Sequence, residues 1–224
     1  MPNYVRNIVK MQGIGNLPLY SMEPTDGKAD GNEVAAPQEY FDFGKIIPMP
    51  KSLEMGSGTS EDVAMEAALT CIAGVVAKDS FIPPFIVELH MSRSQGTLEE
   101  RAKQCGMTVR EAEELGLKYL ENIIRYGHSS WYRWCIENWG TKWNSYDLER
   151  IDEDTIAFST AWADPGPVIE AMSSQYPDRM IEHWWADEDM GENTGYRCIQ
   201  DGCGETVTPD GGSSEALELY VRCW

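Results

Sequence analysis

The two cysteines that lie closest in the sequence are Cys198 and Cys203, which flank an Asp201–Gly202 pair typical of a two-residue hairpin turn. Across such a turn Gln200 faces Cys203 and Cys198 faces Glu205, so the two sulfurs should be diagonal neighbours on one face of a sheet. Thiolates at this spacing could supply half of a zinc site, form a disulfide or remain free. We expect free thiols, because no second close pair of cysteines accompanies this one.

The other residues that could bind a metal or act as a base are scattered. His128, His183 and Cys223 are the residues that could complete a zinc site with the cysteine pair, and His90 is the third histidine. The histidines share no paired spacing, so neither a Ser/His/Asp nor a Cys/His mechanism is indicated. The sequence therefore predicts no catalytic residue, no cofactor and no metal, and we expect each histidine to be structural.

Acidic residues are the most prominent ionisable groups, and they include two runs of three: Asp152, Glu153 and Asp154, and Asp187, Glu188 and Asp189. Such carboxylates could hold Mg²⁺ or Ca²⁺ and serve a metal-dependent hydrolase. Neither run fits an EF-hand loop or a two-carboxylate nuclease pattern. A solvated turn is the alternative interpretation of each run.

The charge of the whole chain limits its partners. The 224 residues carry a net charge of −19, and residues 151–224 hold sixteen acidic residues against three arginines. Binding to nucleic-acid phosphates depends on Lys and Arg, so direct nucleic-acid binding is disfavoured. An acidic protein instead attracts basic surfaces.

Hydropathy gives no sign of a membrane segment. No apolar run approaches the roughly 20 residues of a membrane span, and the N-terminus lacks the apolar core of a signal peptide. We expect the protein to lie in the cytoplasm of a bacterial host cell, where its six cysteines stay reduced.

Hydrophobic periodicity and turn signals predict both strands and helices. Strands are expected at Met1–Gln12, Tyr40–Pro48, Trp143–Leu148, Thr155–Trp162 and Met180–Trp185, and in a hairpin of Gly195–Ile199 with Gly204–Thr208. Helices are expected at Glu61–Lys78, after the capping boxes Thr97/Glu100 and Thr108/Glu111, and at Ser130–Asn138, Gly166–Gln175 and Ser213–Val221. In the helix that begins near Gly166, Asp164 is predicted to be the N-cap and Pro165 the first helical residue.

Seven of the eight tryptophans lie between Trp131 and Met190, which indicates the core of a compact domain. Trp134, Trp143 and Trp162 are predicted to be buried. Trp184 and Trp185 are adjacent in a predicted strand and must point to opposite faces. One of the two rings is therefore either a partner-binding anchor outside a one-sided core or packed under a helix.

Together these elements predict an α+β fold with a ferredoxin-like antiparallel sheet packed by helices, and with a helical insertion. We expect residues 1–224 to form a single α+β domain. Within it, residues 59–140 form the mainly helical insertion, and residues 141–208 supply ferredoxin-like strands and a helix.

Four segments carry a resemblance to a known family: MPNYVRN, FDFGKIIPMPKSL, WCIENWGTKWNSYD and TAWADPGPVIEAMSSQYPD. Their combination resembles plasmid and phage accessory proteins with a YubB-type ferredoxin-like domain. The resemblance implies the fold and a setting in mobile genetic elements, and it implies no catalytic residues. Tyr4 and Gly44 depart from the His and Asn that are frequent at these positions of the family.

The leading functional hypothesis is a non-enzymatic accessory protein of a phage or plasmid. It would bind and inhibit a host defence protein, such as a CRISPR effector or restriction enzyme, through an acidic surface that imitates nucleic acid. The predicted partner-binding residues are Trp184, Trp185, Asp187, Glu188, Asp189, Asp152, Glu153 and Asp154. The alternatives are a metal-dependent hydrolase that uses the acidic runs and a protein that binds single-stranded nucleic acid on an aromatic sheet.

Overall fold

The structure is a computed structural model, and it describes residues 3–22, 37–76 and 96–224. The prediction for His90 and the last two residues of the helix predicted at Glu61–Lys78 lie outside these residues. The chain divides into two compact units. One comprises Met1–Met49 and Cys135–Trp224, and the other comprises Pro50–Trp134.

The first unit contains a six-stranded antiparallel sheet with the strand order β4-β5-β1-β6-β7-β8. Its strands are β1 (Tyr4–Lys10), β4 (Tyr146–Arg150), β5 (Thr155–Ala161), β6 (Ile181–Asp187), β7 (Gly195–Gln200) and β8 (Cys203–Val207). A separate two-stranded sheet pairs β2 (Tyr20–Met22) with β3 (Glu39–Phe41). The predicted α+β class and antiparallel sheet are confirmed.

Strand β1 can lie inside the sheet because the residues on its buried face are either apolar or, in the case of Asn7, fully hydrogen-bonded. Val5, Asn7 and Val9 point to one face and are fully buried. They face Phe158 and Ile156 of β5 in the same layer. This buried layer extends to the aromatic cluster that Phe41, Phe43 and Trp139 form with Phe158.

Two helices of the first unit pack on the sheet. Helix α5 (Gly166–Gln175) packs against β6 and β7 and buries Val168, Ile169 and Met172. Helix α6 (Ser214–Cys223) packs mainly on β6, where its Cys223 joins a buried cluster with Trp184 and Ala186. Both faces of the central strands are therefore covered.

The helical elements in the middle of the chain are α1 (Thr59–Val76), α2 (Leu98–Gln104), α3 (Val109–Tyr126) and α4 (Trp131–Trp139). Both predicted capping boxes are confirmed, since Thr97 with Glu100 and Thr108 with Glu111 make the reciprocal hydrogen bonds. Helices α1 and α3 cross closely at Gly116, where a Cβ would lie 1.9 Å from the Ala64 carbonyl oxygen. The boundary between the two compact units falls within α4.

Three local predictions are wrong. Asp164 makes no cap: α5 begins at Gly166 with Pro165 as N-cap, and the Asp164 carboxylate instead binds Arg197. The strand predicted at Tyr40–Pro48 is shorter, because Asp42 caps a 3-10 turn at Phe43–Lys45. Trp162 leaves the alternation of β5 with φ of 68° and is exposed, whereas Trp134 is buried and Trp143 is half-buried.

Candidate functional site

One end of the sheet brings an acidic run beside an exposed aromatic ring. Asn3 connects them, because its carbonyl accepts from the Trp162 amide at 3.0 Å and its side-chain amide donates to Asp187 and Asp189 at 3.1 Å each. On the other side, the Asn193 side chain donates to the Trp162 carbonyl at 3.1 Å. We name the residues Asn3, Trp162, Glu188, Asp189 and Asn193, at this end of the sheet, the Trp162 surface.

The three residues of the acidic run at this end, Asp187, Glu188 and Asp189, differ in burial and in hydrogen bonding. Asp187 is buried, and its carboxylate accepts from Asn3 and from the Asp189 backbone amide at 3.0 Å. The Glu188 amide donates to the Tyr4 carbonyl at 2.8 Å, which extends the pairing of β6 with β1. Glu188 and Asp189 are exposed. Asp187 therefore fixes the turn, while Glu188 and Asp189 present negative charge to solvent.

Trp162 adopts a backbone conformation that a bulky L-residue rarely adopts. Its φ of 68° lies in the left-handed region, which costs a non-glycine residue about 1–2 kcal/mol. Its side chain is nonetheless 45% exposed, so core packing does not account for the strain. Strained residues held by their surroundings are concentrated at functional sites.

A lysine lies against this ring. The Lys142 ammonium is 4.6 Å from the centroid of the Trp162 ring and 4.5 Å from that of Trp143, within the range of cation–π attraction. Lys142 is therefore the charged group that the structure places against the exposed Trp162 ring.

The second acidic run, Asp152, Glu153 and Asp154, forms the turn between β4 and β5 as predicted. The Asp154 carboxylate accepts from the Gly13 amide at 2.6 Å, and Glu153 accepts from the Asn16 side chain at 3.1 Å. Asp152 accepts from the Asp154 amide at 2.8 Å. Asp152 and Glu153 are exposed, so this turn also presents charge.

The two acidic runs lie at opposite ends of β1. Asp187 pairs with Val5, and the Met11 amide donates to the Asp154 carbonyl, so six residues of extended chain, about 20 Å, separate the runs. They cannot supply ligands to one ion. In the part of the chain that the structure describes, no group of three or more His, Cys, Asp and Glu residues is placed to hold a metal ion.

The predicted aromatic anchors Trp184 and Trp185 are buried, at 7% and 3% exposure. Trp184 packs under α6, and the guanidinium carbon of Arg222 lies 3.8 Å from the centroid of its ring. Of the two arrangements predicted for these rings, Trp184 therefore shows packing under a helix. Trp185 lies on the opposite face, where Gly195 leaves the room that its ring occupies. Neither ring offers a stacking platform for a base or an anchor for a partner in this structure.

A polar network crosses the buried face of the sheet. The Arg197 guanidinium donates to Asp164 at 3.1 Å and lies 3.2 Å from Nδ1 of His183. Nε2 of His183 is 3.0 Å from Oδ1 of Asn7, and the Asn7 amide donates to the Thr160 hydroxyl oxygen at 2.9 Å. Since Arg197 can only donate, Nδ1 of His183 accepts and the ring proton lies on Nε2.

The network shifts two pKa values. Burial, reinforced by the positive charge of Arg197, holds the pKa of His183 well below its usual value. Burial also raises the pKa of Asp164, although Arg197 opposes that rise through its charge and hydrogen bond. His183 is therefore neutral and structural, as expected from the sequence. The Asp164–Arg197 ion pair joins the start of α5 to β7.

The hairpin predicted around Cys198 and Cys203 is confirmed, and its strands pair in the predicted register. Gln200 pairs with Cys203 and Cys198 pairs with Glu205. Both thiols are free, with Cys198 half-buried and Cys203 exposed. Cys223 lies in the packed cluster under α6, where burial raises the pKa of its thiol to about 12. It is therefore a packing residue, and it does not complete a zinc site.

The fold and the site together define an acidic α+β protein with one strained, exposed tryptophan that Asn3 links to an acidic run. Residues 138–223 match the family model described as "Ferredoxin-like domain in Api92-like protein". The predicted ferredoxin-like domain is thereby confirmed over these residues.

A crystal structure of protein api92 from Yersinia pseudotuberculosis aligns with 95% of this chain and 100% of that chain, at 11% identity and a TM-score of 0.38. No curated protein matches the sequence. Among the described helices, none has the length and apolar character needed to cross a membrane.

Two features of the site are not predictable from the sequence. Trp162 continues the alternation of β5, which predicts a buried ring, whereas its positive φ turns it out of that alternation and the Asn193 side chain binds its carbonyl oxygen. The role of Arg197 was missed because its partners Asp164 and His183 come from other elements. The one local signal was a lone arginine within an apolar, alternating strand.

Proposed function

We propose that this protein is a non-enzymatic binding protein whose Trp162 surface occupies a basic, nucleic-acid-binding surface of another protein. The observation that supports it most is Trp162 itself, a strained and 45% exposed tryptophan that Asn3 links to the exposed carboxylate of Asp189. Tryptophan is enriched among interface hot spots, and carboxylates near it would form the polar rim of such an interface.

The distribution of charge supports a nucleic-acid-like mode of binding. Asp152 and Glu153 present a second acidic turn at the other end of β1, at least about 22 Å from Glu188 along the strand direction. That separation corresponds to at least about six base-pair steps at 3.4 Å each. A basic channel that follows a nucleic-acid strand would encounter carboxylates at both ends of this length, and the net charge of −19 would accelerate the encounter.

The sequence resemblance to plasmid and phage accessory proteins suggests the setting. Within this proposal the partner is a host defence protein that handles nucleic acid, such as a CRISPR effector or a restriction enzyme, and binding inhibits it. Direct binding of this chain to nucleic acid or to a membrane forms no part of the proposal.

The test begins with affinity purification of the partner from a bacterial lysate. The recovered protein is then assayed for duplex-DNA binding by gel shift, with and without this protein. We expect the wild-type protein to displace DNA from its partner. We expect the Trp162→Ala variant and the Glu188→Lys/Asp189→Lys variant to lose most of this displacement.

A matched control carries the same charge change elsewhere. Glu170→Lys/Glu218→Lys alters two exposed helical carboxylates away from the Trp162 surface and should displace DNA like the wild type. Recovery of no nucleic-acid-handling protein would contradict the proposal. Equal displacement by the wild type and the Glu188→Lys/Asp189→Lys variant would contradict it too.

A further inference from the structure

The outer edge of the sheet at β8 is open. All five residues of β8, Cys203–Val207, are exposed. The strand nevertheless pairs residue by residue with β7 from Tyr196–Val207 to Gln200–Cys203, with glycine at position 204, where a Cβ would lie 2.0 Å from the Cys198 carbonyl oxygen. It contains neither proline nor lysine, the residues that most often protect an edge strand from pairing with other chains.

The opposite edge, β4, is protected. Its register shifts between Tyr146 and Glu149, and Asp147 between them has φ of 51°. Arg150 at its end binds Glu39 of β3 at 3.0 Å. A bulge of this kind prevents the addition of another strand. The sheet is therefore closed to pairing at one edge and open at the other.

The hairpin fixes which backbone groups of β8 face outward. In a two-residue hairpin the residues next to the turn form a hydrogen-bonded pair, and such pairs alternate along the strands. Cys203, Glu205 and Val207 therefore bond to β7, whereas the N–H and C=O groups of Gly204 and Thr206 point away from it. Within the described residues, no backbone hydrogen bond from another element reaches Gly204 or Thr206.

Side chains on the face under α6 form two rows across the strands that end at β8. One row is apolar and runs Ile8, Trp184, Tyr196, Val207. The other is polar and runs Lys10, Glu182, Cys198, Glu205. A strand added to β8 would continue both rows, with an apolar residue opposite Val207 and a cation opposite Glu205.

The charge of the chain around β8 indicates which kind of strand could pair with this edge. From Cys198 to Val221 the chain carries five acidic residues and no Lys or Arg. Like charges directly opposite each other in a sheet are destabilising, so a second copy of this chain is poorly suited to this edge. An extended segment with basic residues complements it.

We infer that β8 accepts one extended strand from a basic protein partner, by addition of that strand to the sheet edge. The strand carries an apolar residue and a Lys or Arg two positions apart, so that both lie on the face under α6. Gly204 and Thr206 supply the backbone hydrogen bonds, while Val207 and Glu205 select the side chains. This inference stands without the Trp162 surface, which lies at an end of the sheet and not along its edge.

The test uses a synthetic peptide of about seven residues that alternates threonine with valine and lysine, so that valine and lysine share a face. We expect it to bind the full chain in calorimetry and to slow hydrogen exchange at the Gly204 and Thr206 amides by about tenfold or more. The same peptide with glutamate in place of lysine should bind at least about tenfold more weakly.

Two variants of Thr206 test whether the outward N–H at the β8 edge is needed for peptide binding. Thr206→Pro removes an outward N–H without breaking the β7–β8 ladder and should abolish peptide binding. Thr206→Val keeps the N–H and loses the same hydroxyl bond to Arg197 as the proline variant, so it should bind the peptide like the wild type. Thermal unfolding of both variants checks that they fold.

Three results would overturn the inference. They are equal binding of the peptide to Thr206→Pro and Thr206→Val, protection of amides away from β8, and a dimer of the free chain in which Gly204 and Thr206 are already protected. Because the Trp162→Ala variant should still bind the peptide, failure here is distinguishable from failure of the proposed function.

Discussion

Arg197 and His183 lie side by side in the buried layer of the sheet, with a guanidinium nitrogen 3.2 Å from Nδ1 of the imidazole. An arginine can only donate, so this contact requires an unprotonated Nδ1. His183 also faces Asn7 from β1 and stacks on Trp185 at 5.0 Å. Protonation would therefore set two positive charges against each other in a site that water does not reach.

The pH dependence of stability follows from this contact. The pKa of His183 is lowered in the folded chain, so the unfolded chain binds the proton first as the pH falls below about 6.5. The free energy of unfolding should decrease from pH 7 to pH 5, by up to about 1.4 kcal/mol per pH unit. His183→Gln should lose this slope. Urea unfolding at several pH values measures it, and an unchanged slope in the variant would contradict the assignment.

Removal of Arg197 should leave the mostly buried carboxylate of Asp164 without its partner. Arg197→Ala is expected to cost about 3–5 kcal/mol of stability, since Asp164, His183 and Thr206 each lose a hydrogen bond. Asp164→Ala/Arg197→Ala should cost less than the sum of the two single changes, because the charges are removed together. Urea denaturation of the four proteins measures the coupling, and strict additivity would show that the ion pair has no net effect.

Two variants of Trp162 can separate the effect of its strained backbone from the effect of its ring. Trp162→Ala removes the ring and keeps a Cβ in the left-handed region, whereas Trp162→Gly removes both. We expect the glycine variant to be more stable than the alanine variant by about 1 kcal/mol, measured by thermal unfolding, and both to lose partner binding. If the alanine variant were the more stable one, the left-handed conformation would not persist in solution.

The crossing of α1 and α3 depends on Gly116. A Cβ there would lie 2.6 Å from the Ala64 carbonyl carbon and 2.7 Å from the Ala68 Cβ. Gly116→Ala should therefore destabilise the helical unit by about 1–3 kcal/mol or more, even though alanine favours a helix. Leu117→Ala, at an exposed neighbouring position, is the control and should have little effect in the same urea titration.

Features set by neighbouring residues were predictable from the sequence. The capping boxes at Thr97 and Thr108 and the β7–β8 register depend on residues a few positions apart, and the structure confirms all of them. Features set by distant contacts were not. Asp164 has the sequence signature of an N-cap, yet Arg197 in another element takes its carboxylate. Alternation along β5 could not show that Trp162 adopts a positive φ and that the Asn193 side chain binds its carbonyl oxygen.

The central position of β1 has a consequence for synthesis of the chain. Both neighbours of β1 lie far downstream, since Lys10 pairs with Thr155 of β5 and with Glu182 of β6. Ribosomes add about 5–20 residues per second, so this apolar strand emerges about 7–30 s before its first partner in the sheet is made. Throughout that interval β1 is a nascent segment without its native pairing, and a chaperone that binds extended apolar chains would have its best opportunity to act there.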